Sequence, residues 1–364
     1  NVINNVTSSV VVNGGTNVGG MVGRLNTGTL TGSTSSGAVT GVNNTGGMVG
    51  RLYYGALTGS VSTSAVTGTS NTTGGLVGYF DNTYSLTIKN SAAQGLVTGT
   101  NTSGQVGGLL GAIYGYAYIY GSNYSGAGVS SLGPNVGGLL GEASWDTTIY
   151  NSYVNSPGAT GVQGTYNVGG MVGRNGSSLT VQSNGTNVAA YGTALSPYSN
   201  AKVTGTTASG TNAYVGGIVG YVGAYSTMSN ISVTASSVTG VGNYVGGVIG
   251  GTTTVGYTES FNYITVNVPT ITGNGSYVGG IIGYGPYVDI SNSSVNATIS
   301  STGTALNKRF FGGLIGDASS RATISNSYAV GNITISGTGA GTGFVGGLVG
   351  RMGSSGSTLG GSIQ

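Results

Sequence analysis

The side chains able to do chemistry are few in this sequence, and their types narrow the function before any element is placed. Histidine and cysteine are both absent from the 364 residues. That removes the Ser-His-Asp triad, the HExxH zinc helix, thiolate nucleophiles, metal–thiolate clusters and disulfides. The acids are Asp81, Glu142, Asp146, Glu259, Asp289 and Asp317. A glycosidase needs two carboxylates flanking one cleft, and only Glu142 and Asp146 are close in sequence. They read as two surface acids beside a turn at Trp145. Calcium-binding β-rolls need an Asp in every nonapeptide, which Phe80-Asp81 approximates only once. The many Gly-rich stretches lack the Lys and the helix of a phosphate loop. The expectation is a non-enzymatic chain with no catalytic residue, no cofactor and no metal.

Charge points the same way. Nine Lys and Arg face six Asp and Glu, for a net +3. Nucleic-acid binders concentrate their basic residues in a stripe, but these are scattered, so nucleic acid is not an expected partner. No run of 18 apolar residues exists to span a bilayer. A surface this poor in charge favours association. One stretch stands out, Ile113-Tyr114-Gly115-Tyr116-Ala117-Tyr118-Ile119-Tyr120. Its strict alternation puts the odd-numbered residues inward and Tyr114, Tyr116, Tyr118 and Tyr120 outward, with Tyr124 nearby. An exposed tyrosine row suits a partner or a sugar ring. The same row could equally be a cross-strand packing ladder.

These residues are positioned by a repeat. Gly-Gly-φ-φ-Gly, with φ aliphatic or Met, begins at Gly19, Gly46, Gly74, Gly107, Gly137, Gly169, Gly216, Gly246, Gly279, Gly312 and Gly346. The intervals run from 27 to 34 residues, apart from one of 47 between Gly169 and Gly216. A period near 30 sustained over a whole chain signals stacked repeats. Each period holds two further parts. One is an apolar residue before short polar ones, most often Ile-x-Asn-Ser, as at Ile88, Ile149 and Ile324. The other is an aliphatic-Thr/Ser-Gly turn, as in Val39-Thr40-Gly41 and Val238-Thr239-Gly240. Short β-branched segments closed by Gly, Asn or Ser read as strands and turns, and Gly at this density opposes helix. The predicted fold is an all-β solenoid of about eleven coils of ~30 residues, three short strands per coil, running continuously over 1–364. Stacking at strand spacing makes it a rod of roughly 50 Å. The extra residues of the long interval are expected as a lateral loop near 184–200.

The glycines supply either positive φ at corners or close approach of sheets. The paired aliphatics are either buried on both faces of one strand or bent at a Gly. The column Asn90, Asn151, Asn230, Asn292 and Asn326 suits either an asparagine ladder or a left-handed turn position. If coils stack in register, the residues just after the motif become neighbours, with Glu142 beside Arg174, Asp317 beside Arg351, Arg51 beside Tyr79, and Arg24 beside Arg51 as a like-charge pair.

The unit Val-Gly-Gly-Leu-Val-Gly followed by Ile-x-Asn-Ser and Val-x-Gly resembles the GLUG motif, most closely at Gly74–Gly78 and Gly346–Gly350. GLUG repeats occur in large bacterial surface proteins, including haemagglutinin-like adhesins and passenger regions of some immunoglobulin A peptidases. The resemblance implies a secreted, cell-surface β-solenoid and carries over no catalytic residue. Asn1 in place of Met, with no leader after it, reads as a processed or excerpted chain. Neither end shows a polar cap: Val10-Val11-Val12 is uncharged and Gly353–Gln364 is Gly/Ser-rich. Solenoids without such caps polymerise. The expected role is a structural element that self-associates, end to end or laterally, into a surface fibre or adhesin stalk. The alternatives are a glycan-binding adhesin using the tyrosine face, then an ice-binding protein or a polysaccharide-degrading β-helix.

Overall fold

A computed structural model describes residues 1–183, 196–207, 212–252, 256–275, 277–301, 309–335, 343–353 and 362–363. The protein is an all-β parallel solenoid with no helix among these residues. All eleven motif copies stack in a single column. Gly19 pairs with Gly46, Gly46 with Gly74, and so on without a slip to Gly312 and Gly346. The apolar residues Leu30, Leu57, Ile88, Ile119, Ile149, Val181, Met228, Phe261, Ile290 and Ile324 form a second unbroken column. The solenoid makes about nine turns, slightly fewer than the eleven coils expected from the motif count. The first and last motif copies lie in terminal coils, covered on one side only. The lateral loop expected near 184–200 falls mostly outside the described residues.

Each coil has more corners than the three parts suggest. In one coil, strands run over Asn135–Gly137, Leu140–Ala143, Thr147–Tyr150, Tyr153–Val154 and Gly161–Gly164. Five short strands replace three because two of the parts bend. The motif folds at its centre. From Met48-Val49 to Leu314-Ile315, both aliphatics of each pair have no exposed surface, since the chain arches around them. The backbone N–H groups of both donate to one carbonyl in the next coil, as Leu109 and Leu110 do to Leu139. The second bend is at Asn. Asn90, Asn151, Asn230, Asn292 and Asn326 all have φ between 47° and 53°, and Gly32, Gly59 and Gly121 take their place in other coils. The column is therefore a left-handed corner, where Asn and Gly are the residues of low steric cost.

One rung of an asparagine ladder forms here, Asn326 Nδ2 donating to Asn292 Oδ1 at 3.4 Å; the more regular ladder is made by the following serine. Each of Ser60, Ser91 and Ser122 donates its hydroxyl to the carbonyl two residues before it. Each also accepts the backbone N–H of the preceding coil, at 3.1–3.3 Å. Buried backbone donors are thus satisfied by a side chain where the β-ladder is interrupted.

The motif glycines have ordinary negative φ; what they permit is close contact. A Cβ on Gly141 would lie 2.4 Å from the Gly111 carbonyl and 2.7 Å from the Val106 backbone nitrogen. A Cβ on Gly107 would lie 2.0 Å from the Leu110 carbonyl. The two arms of the arch therefore press backbone on backbone, with no room for any side chain between them.

Candidate functional site

That tight arch shapes the outer surface. The residue two before the motif and the residue just after it both point outward, on opposite arms, and meet across the bend. Asn135 Nδ2 donates to Glu142 Oε2 at 2.7 Å, and the Tyr214 and Tyr221 rings lie 4.9 Å apart, edge to face. Stacked coil on coil, these pairs form a strip parallel to the rod axis.

The N-terminal half of the strip is polar. Asn44 Nδ2 donates to Asn17 Oδ1, Thr72 donates to Asn44, and Asn167 Nδ2 donates to Asn135 Oδ1. Arg174 Nη1 sits 2.5 Å from Glu142 Oε1, and Arg51 pairs with Asp81. A hollow of about 450 Å³ opens here, lined by Arg51, Tyr79, Asp81, Gln105, Ala112 and Glu142 among others. Burial raises the Tyr79 pKa, and neighbouring Arg51 partly offsets it. A second hollow of about 350 Å³ lies beside the first, lined by Tyr116, Trp145, Asp146 and Ser177; Ser144 belongs to both.

The C-terminal half is aromatic. Tyr214, Tyr244, Tyr277, Phe310 and Phe344 stack in consecutive coils, with centroids 4.4–5.3 Å apart and planes within 16° of parallel. Tyr221 and Tyr284 close on them from the opposite arm. Arg351 lies over Phe310 at 4.2 Å and holds Asp317, whose side chain is wholly buried. Burial is the leading cause of the raised pKa values of Tyr214 and Tyr277, and of Tyr244, which reaches about 12.

Tyr114, Tyr116, Tyr118 and Tyr120 do line the outer face, over buried Ile113, Gly115, Ala117 and Ile119. Tyr114 is exposed and the others are half-buried. Trp145 packs edge-on against Tyr114 and Tyr116, at 6.1 and 5.1 Å. Tyr120 stacks on Tyr150 at 5.5 Å. Tyr124 does not belong to this face. It is fully buried, and its hydroxyl donates to the carbonyls of Gly95 and Gly128. It stands in an inward column between buried Ala93 and Val154, and the motif glycine Gly108 leaves its ring room, since a Cβ there would lie 2.6 Å from it.

The paired positions after the motif come together: Glu142 with Arg174, and Asp317 with Arg351 at 2.5 Å. Arg51 is beside Tyr79 in register, but its charge goes to Asp81. Arg24 and Arg51 are register neighbours. Trp145, Gln105 and the aromatic stack were missed. Reading the position two before each motif down the chain would have found the stack: Thr72, Gln105, Asn135 and Asn167, then Tyr214, Tyr244, Tyr277, Phe310 and Phe344.

Glu259 was also missed as a core residue. It occupies an inward position that its register partner fills with Val288, and it has no exposed surface. The Ser226 hydroxyl donates to one carboxyl oxygen, and the Ser226 backbone and Thr252 side chain also bond the carboxyl. Burial pushes its pKa up to about 8. Among the described residues no group of three or more acids could hold a metal, and no helix is long and apolar enough to cross a membrane. No protein-family model, curated protein or solved structure matches the chain.

Proposed function

We propose that this protein is a non-enzymatic rod of the cell exterior, a self-associating segment of a surface fibre or an adhesin stalk of the GLUG-repeat kind. The observation that carries the reading is the single unbroken column of eleven motif copies. A stack of repeats held by parallel ladders shares one core that grows with the number of coils. Secretion is supported by the composition: no cysteine, very little charge, and abundant Gly, Asn, Ser and Thr.

The disposition of the acids supports a structural role. Asp81, Glu142, Asp289 and Asp317 are each paired with an arginine one coil away. Asp146 accepts from Ser177 and Ser178, and Glu259 is buried. Each carboxylate is thus engaged in holding coil to coil, and little net field remains to keep rods apart. Solution scattering and negative-stain microscopy of the purified chain test the proposal. A rod of roughly 50 Å is expected, associating into filaments as concentration rises. A compact, isometric particle would defeat the rod, and a strict monomer at every concentration would defeat self-association.

A further inference from the structure

We propose that the hollow at Ala112 is a binding site for a neutral, hydroxyl-rich oligosaccharide that continues over Ser144 onto Trp145. The inference is independent of the rod's assembly. The site exists because one member of a column is too small. The positions after the motif run Arg51, Tyr79, Ala112, Glu142 and Arg174 in consecutive coils. Large side chains rise on both sides of Ala112, whose methyl leaves a gap one strand wide. Gly251 is an equally small member of the same column, but its place is taken: a Cβ there would lie 3.3 Å from the Tyr214 ring. Across from Ala112 stands Gln105, which leaves the gap open, and a hollow of about 450 Å³ results.

The lining selects the ligand. Asp81 and Glu142 are each matched by an arginine, so the hollow attracts neither anions nor cations strongly. Each carboxylate keeps lone pairs that accept from hydroxyls, while Gln105 both donates and accepts. Neutral sugars present hydroxyl edges to such groups and apolar C–H faces to aromatic rings. The rings are in place. Tyr79 walls the gap, Tyr114 is 45% exposed at its rim, and Trp145 is held upright by edge contacts with Tyr114 and Tyr116. The adjoining hollow past Ser144 ends on Asp146, itself fixed by Ser177. Two hollows sharing one residue call for a ligand of more than one ring. All of these groups sit on ladder strands or short turns between them, so little ordering is needed on binding.

Trp145 is the chain's single tryptophan, so its emission reports on the site directly. The full chain is titrated with cellotriose, maltotriose, laminaritriose and mannotriose, and with the acidic trigalacturonate as a charge control. At least one neutral trisaccharide is expected to change Trp145 emission saturably, with Kd near or below about 1 mM. Ala112→Tyr places in the gap a side chain that the same column already carries at Tyr79 and Tyr284. It should weaken binding about tenfold or more with the melting temperature unchanged. Gln105→Ala, which adds no bulk, should also weaken binding, so a folding defect in the first variant would not decide the outcome. The proposal is overturned if no neutral sugar titrates up to about 10 mM, if both variants bind like the wild type, or if trigalacturonate binds best.

Discussion

The two halves of the outer strip solve one geometric problem with opposite chemistry. Both stand on the same arch of glycines and the same coil-to-coil spacing. From Asn44 to Arg174 the strip is filled with amides, carboxylates and arginines that bond across the bend and along the axis. From Tyr214 to Phe344 it is filled with rings that stack along the axis. The aromatic half is closed, because flat rings at strand spacing exclude everything else. The polar half is open, because short amides leave volume between them. Parallel stacking thus determines which positions meet in each column, while the residue type determines whether the strip is a wall or a hollow.

The largest effect should be shared by both halves. Gly111→Ala and Gly250→Ala each place a Cβ about 2.5 Å from backbone of the preceding coil. Each should cost about 3 kcal/mol or more, since backbone on both sides cannot yield as a side chain does. Thermal melts of both variants check this. A loss in one half alone would mean that the arches are not equivalent.

The next effect separates the halves by pH. In the polar half Asp81 and Glu142 each have an arginine. In the aromatic half Glu259 is buried with none, and its pKa stands near 8 instead of the usual 4.5. The unfolded chain loses this proton first, so stability conferred by the protonated form is complete below pH 4.5 and is lost as pH rises toward 8. Burial raises the Asp317 pKa as well, which adds loss of the same sign. The wild type should be less stable at pH 9 than at pH 5 by about 2 kcal/mol, and Glu259→Gln should remove most of that difference. Equal slopes of melting temperature against pH in the two proteins would show that Glu259 is not the group responsible.

The smallest effects compare two ion pairs. Arg351→Ala strands the wholly buried Asp317 carboxylate and uncovers Phe310, and should cost about 2 kcal/mol. Arg174→Ala leaves Glu142 partly solvated and still bonded to Asn135, and should cost only about 0.5 kcal/mol, fading in high salt. Denaturation midpoints at low and high salt distinguish them. Equal costs would mean that the aromatic wall contributes no desolvation to its pair.

Much of the scaffold was legible from spacing. Once the motif recurs at a steady interval and strands stack in parallel, each column follows, and with it the neighbours Glu142–Arg174 and Asp317–Arg351. Local alternation placed the tyrosine row outward. What stayed hidden lies between arms of one coil, where sequence separation carries no information about facing. Asn135 meets Glu142 and Tyr214 meets Tyr221 only because the arch is tight. Tyr124 fits its inward column because Gly108 across the core makes room, a relation with no local trace. The corner was half visible: Asn suggested a turn, yet the ladder belongs to serine, the less conspicuous member of Asn-Ser.

That serine has a consequence for inheritance. Its hydroxyl binds one partner in its own coil and one in the coil before, so a coil built with it carries both a finished corner and the acceptor its neighbour requires, whereas the two coils with Ile231 and Ile264 at this place offer no such acceptor. An in-frame duplication of one unit delivers a coil already complementary to the two it lands between, and a deletion brings together two that fit as well. Recombination among the serine-bearing repeats can lengthen or shorten the rod while keeping that donor satisfied. Reach then becomes a trait that varies among descendants at almost no cost to folding.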